Sequence, residues 1–167
     1  MFRVIAAWLI LAFSAGQSDA RESYLNAEVR GGIAIAAEAC ARYLKKGDNP
    51  AWLAEEGFSE SGKQAWTARF KNKSTLGRQR VSVILGKKGI CYVNLSHVGR
   101  PEAKELGDIT LQRIRAEGFR DVQSTGNNQN LARTYLVAGV VKLDYSLGIQ
   151  TVGGASYAVV SLSPVQE

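Results

Sequence analysis

Eight cations crowd one stretch of this chain: Lys63, Arg69, Lys71, Lys73, Arg78, Arg80, Lys87 and Lys88. Arginine offers paired planar donors and lysine a mobile point charge, so these residue types at this density suit phosphate or carboxylate groups. With Arg100 they give residues 61–100 a local charge of +9 and no Asp or Glu, in a chain whose formal net charge is +6. The remainder is therefore net acidic. Such asymmetry points to an anionic partner, either an anionic polymer or an acidic protein surface, and a phosphate-rich polymer would bind there with steep salt dependence. The plainer role for the same side chains is to keep exposed strands soluble and unpaired with other sheets.

The remaining chemistry-bearing residues are sparse. His97 is the single histidine, which excludes sites built from several His and Cys, and no carboxylate spacing matches a calcium loop; neither metal nor cofactor is expected. Ser96 and His97 are strand neighbours that point to opposite faces, so they form no nucleophile–base pair. His97 with Arg100 and Glu102 or Glu105 is an arrangement able to cleave a phosphodiester, with His as acid or base and Arg on the phosphate. Lone histidines at strand ends are more often simply solvated. Glu55 with Glu56, or Glu117 with Asp121, lack any feature fixing the separation that two catalytic carboxylates need. Asn72-Lys73-Ser74 and Asn94-Leu95-Ser96 match the glycosylation acceptor pattern. The balance favours a binding protein contacting an anionic partner. The alternatives are a secreted phosphodiester hydrolase centred on His97 and a protein-interaction or inhibitor module. The last rests on Val137-Ala138-Gly139-Val140-Val141. As a hairpin tip this segment would expose apolar area to a partner. As one bent strand with Gly139 as a bulge it would be core, and the rarity of exposed apolar tips favours the bent strand or a buried turn.

Periodicity supplies the elements that hold these residues. A helix is expected over residues 32–46, with Ile33, Ala37, Cys40 and Leu44 on one stripe and Gly47 as its stop. Asp48 or Asn49 then caps a short helical segment that opens at Pro50 and runs through Trp52 and Leu53 to Gly57. Strands follow over residues 63–72, 79–85 and 90–97, with residues 86–89 as a hairpin connection. A second helix opens at Pro101 and carries Leu106, Ile109, Leu111 and Ile114 to Gly118. After the polar residues 126–130 come strands over 131–137, 140–147 and 156–162. Helix then three strands thus occurs twice, over about residues 32–100 and 101–163, and Ala54-Glu55-Glu56-Gly57-Phe58 is echoed by Arg115-Ala116-Glu117-Gly118-Phe119. The expected fold is α+β, an antiparallel sheet with both helices on one face.

Strand alternation then assigns faces. Trp66, Ala68 and Phe70 fall on the core side and Lys63, Arg69 and Lys71 on the other; Val81, Val83 and Leu85 oppose Arg80 and Ser82. Tyr92 is the aromatic that joins the cations, which offers little for base stacking. Cys91 shares its parity with Val93 and Leu95 and so points inward, toward Cys40 on the helix. These are the two cysteines of the chain, and one disulfide is expected.

At the N-terminus, Met1-Phe2-Arg3 gives a positive start, residues 4–13 are unbroken apolar, and Ser18-Asp19-Ala20 offers small residues for cleavage, the pattern of a secretion signal over residues 1–20. The apolar run is short of the roughly twenty residues a membrane span needs, and no cysteine near the cut would take a lipid anchor. Residues 21–167 remain as one domain of ordinary size. A composition 46% hydrophobic, with three prolines, is that of a globular chain. The expected destination is periplasmic or extracellular, where paired cysteines persist.

Overall fold

The computed structural model describes residues 23–71, 78–124 and 131–165. The secretion signal, Lys73 with its glycosylation pattern, and the polar residues 126–130 lie outside them.

The first helix, α1 (Ala27–Lys46), begins five residues before the expected start. Asn26 caps it by accepting from the Val29 amide at 2.9 Å, Glu28 lies in the first turn, and Lys45 and Lys46 occupy the last, all favourable to the helix dipole. Gly31-Gly32 reads as a break in sequence, yet Gly32 sits inside the helix because a Cβ there would collide with the Phe70 ring. Gly47 ends α1 in the left-handed region at φ 72°. Asn49 caps the 3-10 turn Pro50–Ala54 by accepting from the Ala51 amide at 3.1 Å. The second helix, α2 (Arg100–Ala116), carries Pro101 in its first turn, and Glu102 accepts from the Gly99 amide at 3.0 Å. Its buried stripe of Ala103, Leu106, Gly107, Thr110 and Ile114 follows helical spacing.

Four strands follow α1: β1 (Ser59–Gly62), β2 (Ala65–Lys71), β3 (Arg78–Leu85) and β4 (Cys91–Ser96). Four more follow α2: β5 (Arg120–Ser124), β6 (Ala132–Ala138), β7 (Val141–Val152) and β8 (Ala155–Pro164). Four strands thus follow each helix, in place of the expected three. All pairings are antiparallel, in the order β1-β2-β3-β4-β8-β7-β6-β5, so the last strand of each run pairs with the other, Cys91 through Ser96 opposite Leu162 through Tyr157. The added strands β1 and β5 are the two edges. Each is short, bulged and rich in polar or charged residues, which limits edge-to-edge pairing. That composition also hides them from any search for apolar alternation.

Both helices lie on one face. Val81, Val83, Leu85, Cys91, Val93, Leu95, Leu136, Leu143, Tyr145, Leu147, Ala158, Val160 and Leu162 share that face by register and are buried. They form one hydrophobic cluster with Val29, Ile33, Leu106 and Ile114 of the helices. The Cys40–Cys91 disulfide fastens α1 to β4. Gly107 allows α2 to approach the sheet, since a Cβ there would stand 2.7 Å from Leu147 Cδ2 and 3.0 Å from Tyr145 Oη. Gly57 and Gly118 both take positive φ, 81° and 94°. The following Phe58 and Phe119 are buried, and their amides donate to Leu53 O at 3.0 Å and Ile114 O at 3.3 Å. Among the described residues no helix is long and apolar enough to cross a membrane.

Candidate functional site

Among the described residues, the second face of the sheet carries no helix. Side chains alternate along each strand, so register places Arg69, Lys71, Arg78, Arg80, Arg120, Arg133 and Lys142 on this open face, with Asp144 as its acid among the described strand residues. Three acids of the helix layer are engaged on the opposite side. Glu38 meets Arg113 and Arg42, Glu105 meets Arg30 at 3.3 Å, and Glu117 meets Arg113 at 3.4 Å. They do not fold across the cations.

Within the open face the expected cations divide into two groups. Arg69 lies directly opposite Arg80, and Lys71 directly opposite Arg78, on β2 and β3. Directly opposed residues have Cβ atoms about 4.5–5.5 Å apart, and like charges there destabilise the pair. None of these four enters an ion pair among the described residues; Arg80 Nη2 donates to Tyr157 Oη at 3.4 Å. Lys63 lies in the β1–β2 turn, and Lys87 and Lys88 in the exposed β3–β4 connection, all at the far end of β3 from Arg78. Leu85 lies seven residue steps along the strand from Arg78, roughly 23 Å at about 3.3 Å per residue. This exceeds two Debye lengths at physiological salt, where one is about 8 Å. The two groups therefore act independently on any single anionic group.

The middle of the open face is polar and lightly hollowed. Thr67, Arg80, Ser82, Ile84, Asn94, Ser96 and Tyr157, from β2, β3, β4 and β8, line a pocket of about 180 Å³. Thr67 and Ser82 share a hydrogen bond of 2.9 Å, and Thr67 reaches Ser61 at 3.0 Å. Ser96, 1% exposed, accepts from the Arg80 amide at 2.9 Å and so takes over where the β3–β4 ladder ends. Asn94 Oδ1 is buried with no protein hydrogen-bond partner among the described residues, an arrangement that costs about 1–3 kcal/mol. Toward the other edge Arg133 clasps Asp144 in a two-pronged pair at 2.8 and 3.1 Å beside the Tyr135 ring.

Comparison of the chain with protein-family models, curated proteins and solved structures finds no match. The site is therefore read from its own geometry.

That geometry adds residues which the sequence reading did not reach: Arg120, Arg133 and Lys142 among the cations, and Tyr135 and Tyr157 beside Tyr92 on the same face. Their parity relative to Leu136, Leu143 and Ala158 was the available signal. His97 is exposed, takes φ 56°, and uses its backbone to pair with Ser156 O at 2.8 Å and to accept from Gln79 Nε2 at 3.3 Å. The carboxylates considered with it are committed elsewhere, Glu102 to the Gly99 amide and Glu105 to Arg30 and the Tyr24 and Leu25 amides. The apolar 137–141 segment is corrected. It is neither a bent strand nor a buried turn but a hairpin tip between β6 and β7, with Gly139 at φ 61° and Val140 95% exposed. Gly139-Val140 is a two-residue hairpin loop opening on a positive-φ glycine, and no element of the described structure lies over it.

Proposed function

We propose that this chain is an exported, non-enzymatic binding protein of the periplasm or extracellular space that contacts an anionic partner through its open sheet face. The observation that carries the reading is the pair of like-charged cross-strand contacts, Arg69 opposite Arg80 and Lys71 opposite Arg78, which among the described residues have no ion pairs and lie on a face that no helix covers. Such pairs weaken a sheet, so their placement is accounted for by an anion that binds across them. The Cys40–Cys91 disulfide accords with an oxidising compartment. The two helix-and-four-strand halves are read as copies of one unit, supported by the matching Gly57-Phe58 and Gly118-Phe119 helix exits. The test is a binding titration of the oxidised protein, residues 21–167, against immobilised heparin over a range of salt. Changing Arg69, Lys71, Arg78 and Arg80 to alanine should abolish the salt-sensitive binding; binding that survives the four changes overturns the reading.

A second reading is favoured by the exposure of Val140. The neighbouring Val137, Ala138 and Gly139 line a groove of about 630 Å³ that reaches Gly118 and Arg120, and with the exposed tip beside it this is a surface suited to a protein partner. Val140→Asp should leave polyanion binding intact; salt-insensitive binding to a protein that Val140→Asp destroys would transfer the function to this tip.

A further inference from the structure

The pocket in the middle of the open face has a chemistry that bare charge attraction does not require. Its walls combine one guanidinium, Arg80, with the hydroxyls of Thr67, Ser82 and Tyr157, the amide of Asn94 and the apolar flank of Ile84. At about 180 Å³ it is smaller than the roughly 300–1,000 Å³ of sites for drug-sized ligands, so it admits one compact unit. Hydroxyls and an amide exchange hydrogen bonds with other hydroxyls in both directions, an aliphatic flank accepts the C–H face of a ring, and a guanidinium seats one oxyanion in two-pronged fashion. Stacking platforms for successive bases are missing from the pocket, where Tyr157 is the aromatic that lines it.

The unpartnered Asn94 Oδ1 sharpens the point. A leucine of similar size would fill the same space without leaving a buried acceptor unsatisfied. Folding does not explain the amide, whereas rotation about its last torsion turns either end toward the pocket. Arg80, which forms one wall, is also half of the Arg69–Arg80 pair, and Lys71 with Arg78 stands next along the same strands. An anionic unit held in the pocket therefore leads directly onto a line of cations able to take the next charges of a chain.

Resting on the anion-binding reading above, we infer that the open face binds an anionic polysaccharide, one sugar of which sits in the pocket with its carboxylate or sulfate on Arg80 and its hydroxyls on Asn94, Ser82 and Tyr157. The neighbouring Arg69, Lys71 and Arg78 hold the charges of the adjoining sugars.

The experiment compares each saccharide polymer with a hydroxyl-free polymer of the same charge: alginate against polyacrylate for carboxylates, and heparin against poly(vinyl sulfate) for sulfates, with single-stranded DNA as a fifth probe. The oxidised protein, residues 21–167, should bind at least one saccharide about tenfold more tightly than its matched polymer at physiological salt. The pair that shows the preference identifies the carboxylate or sulfate source. Asn94→Leu should bring that ratio close to one while leaving binding to the hydroxyl-free polymers and the melting temperature unchanged or raised, and Tyr157→Phe, which also removes the acceptor of Arg80, should bring the ratio close to one. If either variant fails to fold, Ser82→Ala carries the same expectation. A ratio near one in the unaltered protein, a ratio that survives the pocket changes, or tighter binding of single-stranded DNA overturns the inference. The triple variant Arg69→Ala, Lys71→Ala, Arg78→Ala separates the two levels. If it loses all five polymers while the ratio is one, the pocket inference alone fails; if it loses none, the anion-binding reading falls with it.

Discussion

Replacing Arg69 and Lys71 together with glutamine should make the protein more stable and a worse binder at once. Each removed charge faces a cation directly across the β2–β3 ladder, Arg80 for Arg69 and Arg78 for Lys71. Taking charged ends roughly 7 Å apart in a water-like dielectric, the repulsion is about 0.6 kcal/mol per pair before screening. At physiological salt a Debye length of about 8 Å reduces this to roughly 0.3 kcal/mol. Relief of both pairs then contributes about 0.5–1 kcal/mol, depending on salt. For a domain of this size that raises the melting temperature by roughly 1–4 °C. The gain should be larger at 20 mM than at 500 mM sodium chloride, because screening has then already removed the repulsion. Over the same change, each lost polymer contact lowers the slope of log affinity against log salt by about 0.7–0.9, so the double variant should lose roughly 1.4–1.8 units of slope. Differential scanning fluorimetry and a salt series of heparin binding read the two effects. A melting temperature that falls by more than about 2 °C would show these cations supporting the fold, and the reasoning from like-charge pairs would be refuted.

Three further outcomes follow from the packing. Loss of the disulfide through Cys40→Ala with Cys91→Ala should cost about 4 kcal/mol, since it opens a loop with a sequence separation of 51; urea unfolding should show a midpoint lowered accordingly, and an unchanged midpoint contradicts the role assigned to it. Gly107→Ala should destabilise by about 1–3 kcal/mol, because the new Cβ meets Leu147 Cδ2 at 2.7 Å in a packed interface; a melting temperature equal to that of the unaltered protein would contradict the close helix–sheet approach. Burial raises the pKa of Tyr145 above its ordinary value near 10, with the carboxylate of Asp108 adding to the effect. The folded protein therefore keeps that proton where the unfolded chain releases it. The stability tied to Tyr145 is fully present below about pH 10 and is lost as pH rises further. Tyr145→Phe should flatten the decline of the urea midpoint between pH 9 and about 11, and an equally steep decline in the variant contradicts this assignment.

How much could be read in advance depends on which residues carry local signals. Asn49, Pro50, Gly57, Pro101 and Gly118 mark helix starts and exits, and each acts as its residue type dictates. The inward parity of Cys91 and the stripe of Cys40 point the two sulfurs at each other, and they are bonded. Where a signal competes with a long-range contact, the local reading fails. Gly31-Gly32 looks like a helix boundary because the Phe70 ring that requires Gly32 lies far along the chain. Ser59–Gly62 and Arg120–Ser124 pair only as edges, so polar residues satisfy them without apolar alternation. The β7–β8 hairpin runs on to Gly153-Gly154 because two consecutive positive-φ glycines close it tightly.

The cationic site shows the same division. Sequence proximity groups Lys87 and Lys88 with Arg78, but the full length of β3 carries them to opposite ends of the sheet. Conversely, Tyr157 and Ser82 are far apart in sequence and meet in one pocket through the β4–β8 pairing that joins the two runs of strands. Pairing partners of that kind are set by tertiary topology, which periodicity within a strand does not encode.

The most direct measurement is the salt concentration at which the oxidised protein elutes from immobilised heparin, compared between Arg69→Ala with Lys71→Ala and Arg78→Ala, and Lys63→Ala with Lys87→Ala and Lys88→Ala. Each variant removes three positive charges, so a nonspecific cation effect would shift both equally. The paired cations of β2 and β3 are expected to lower the elution salt sharply when lost, and the three turn lysines to leave it nearly unchanged. Equal shifts, or a larger one from the turn lysines, would contradict the placement of the site on the open face.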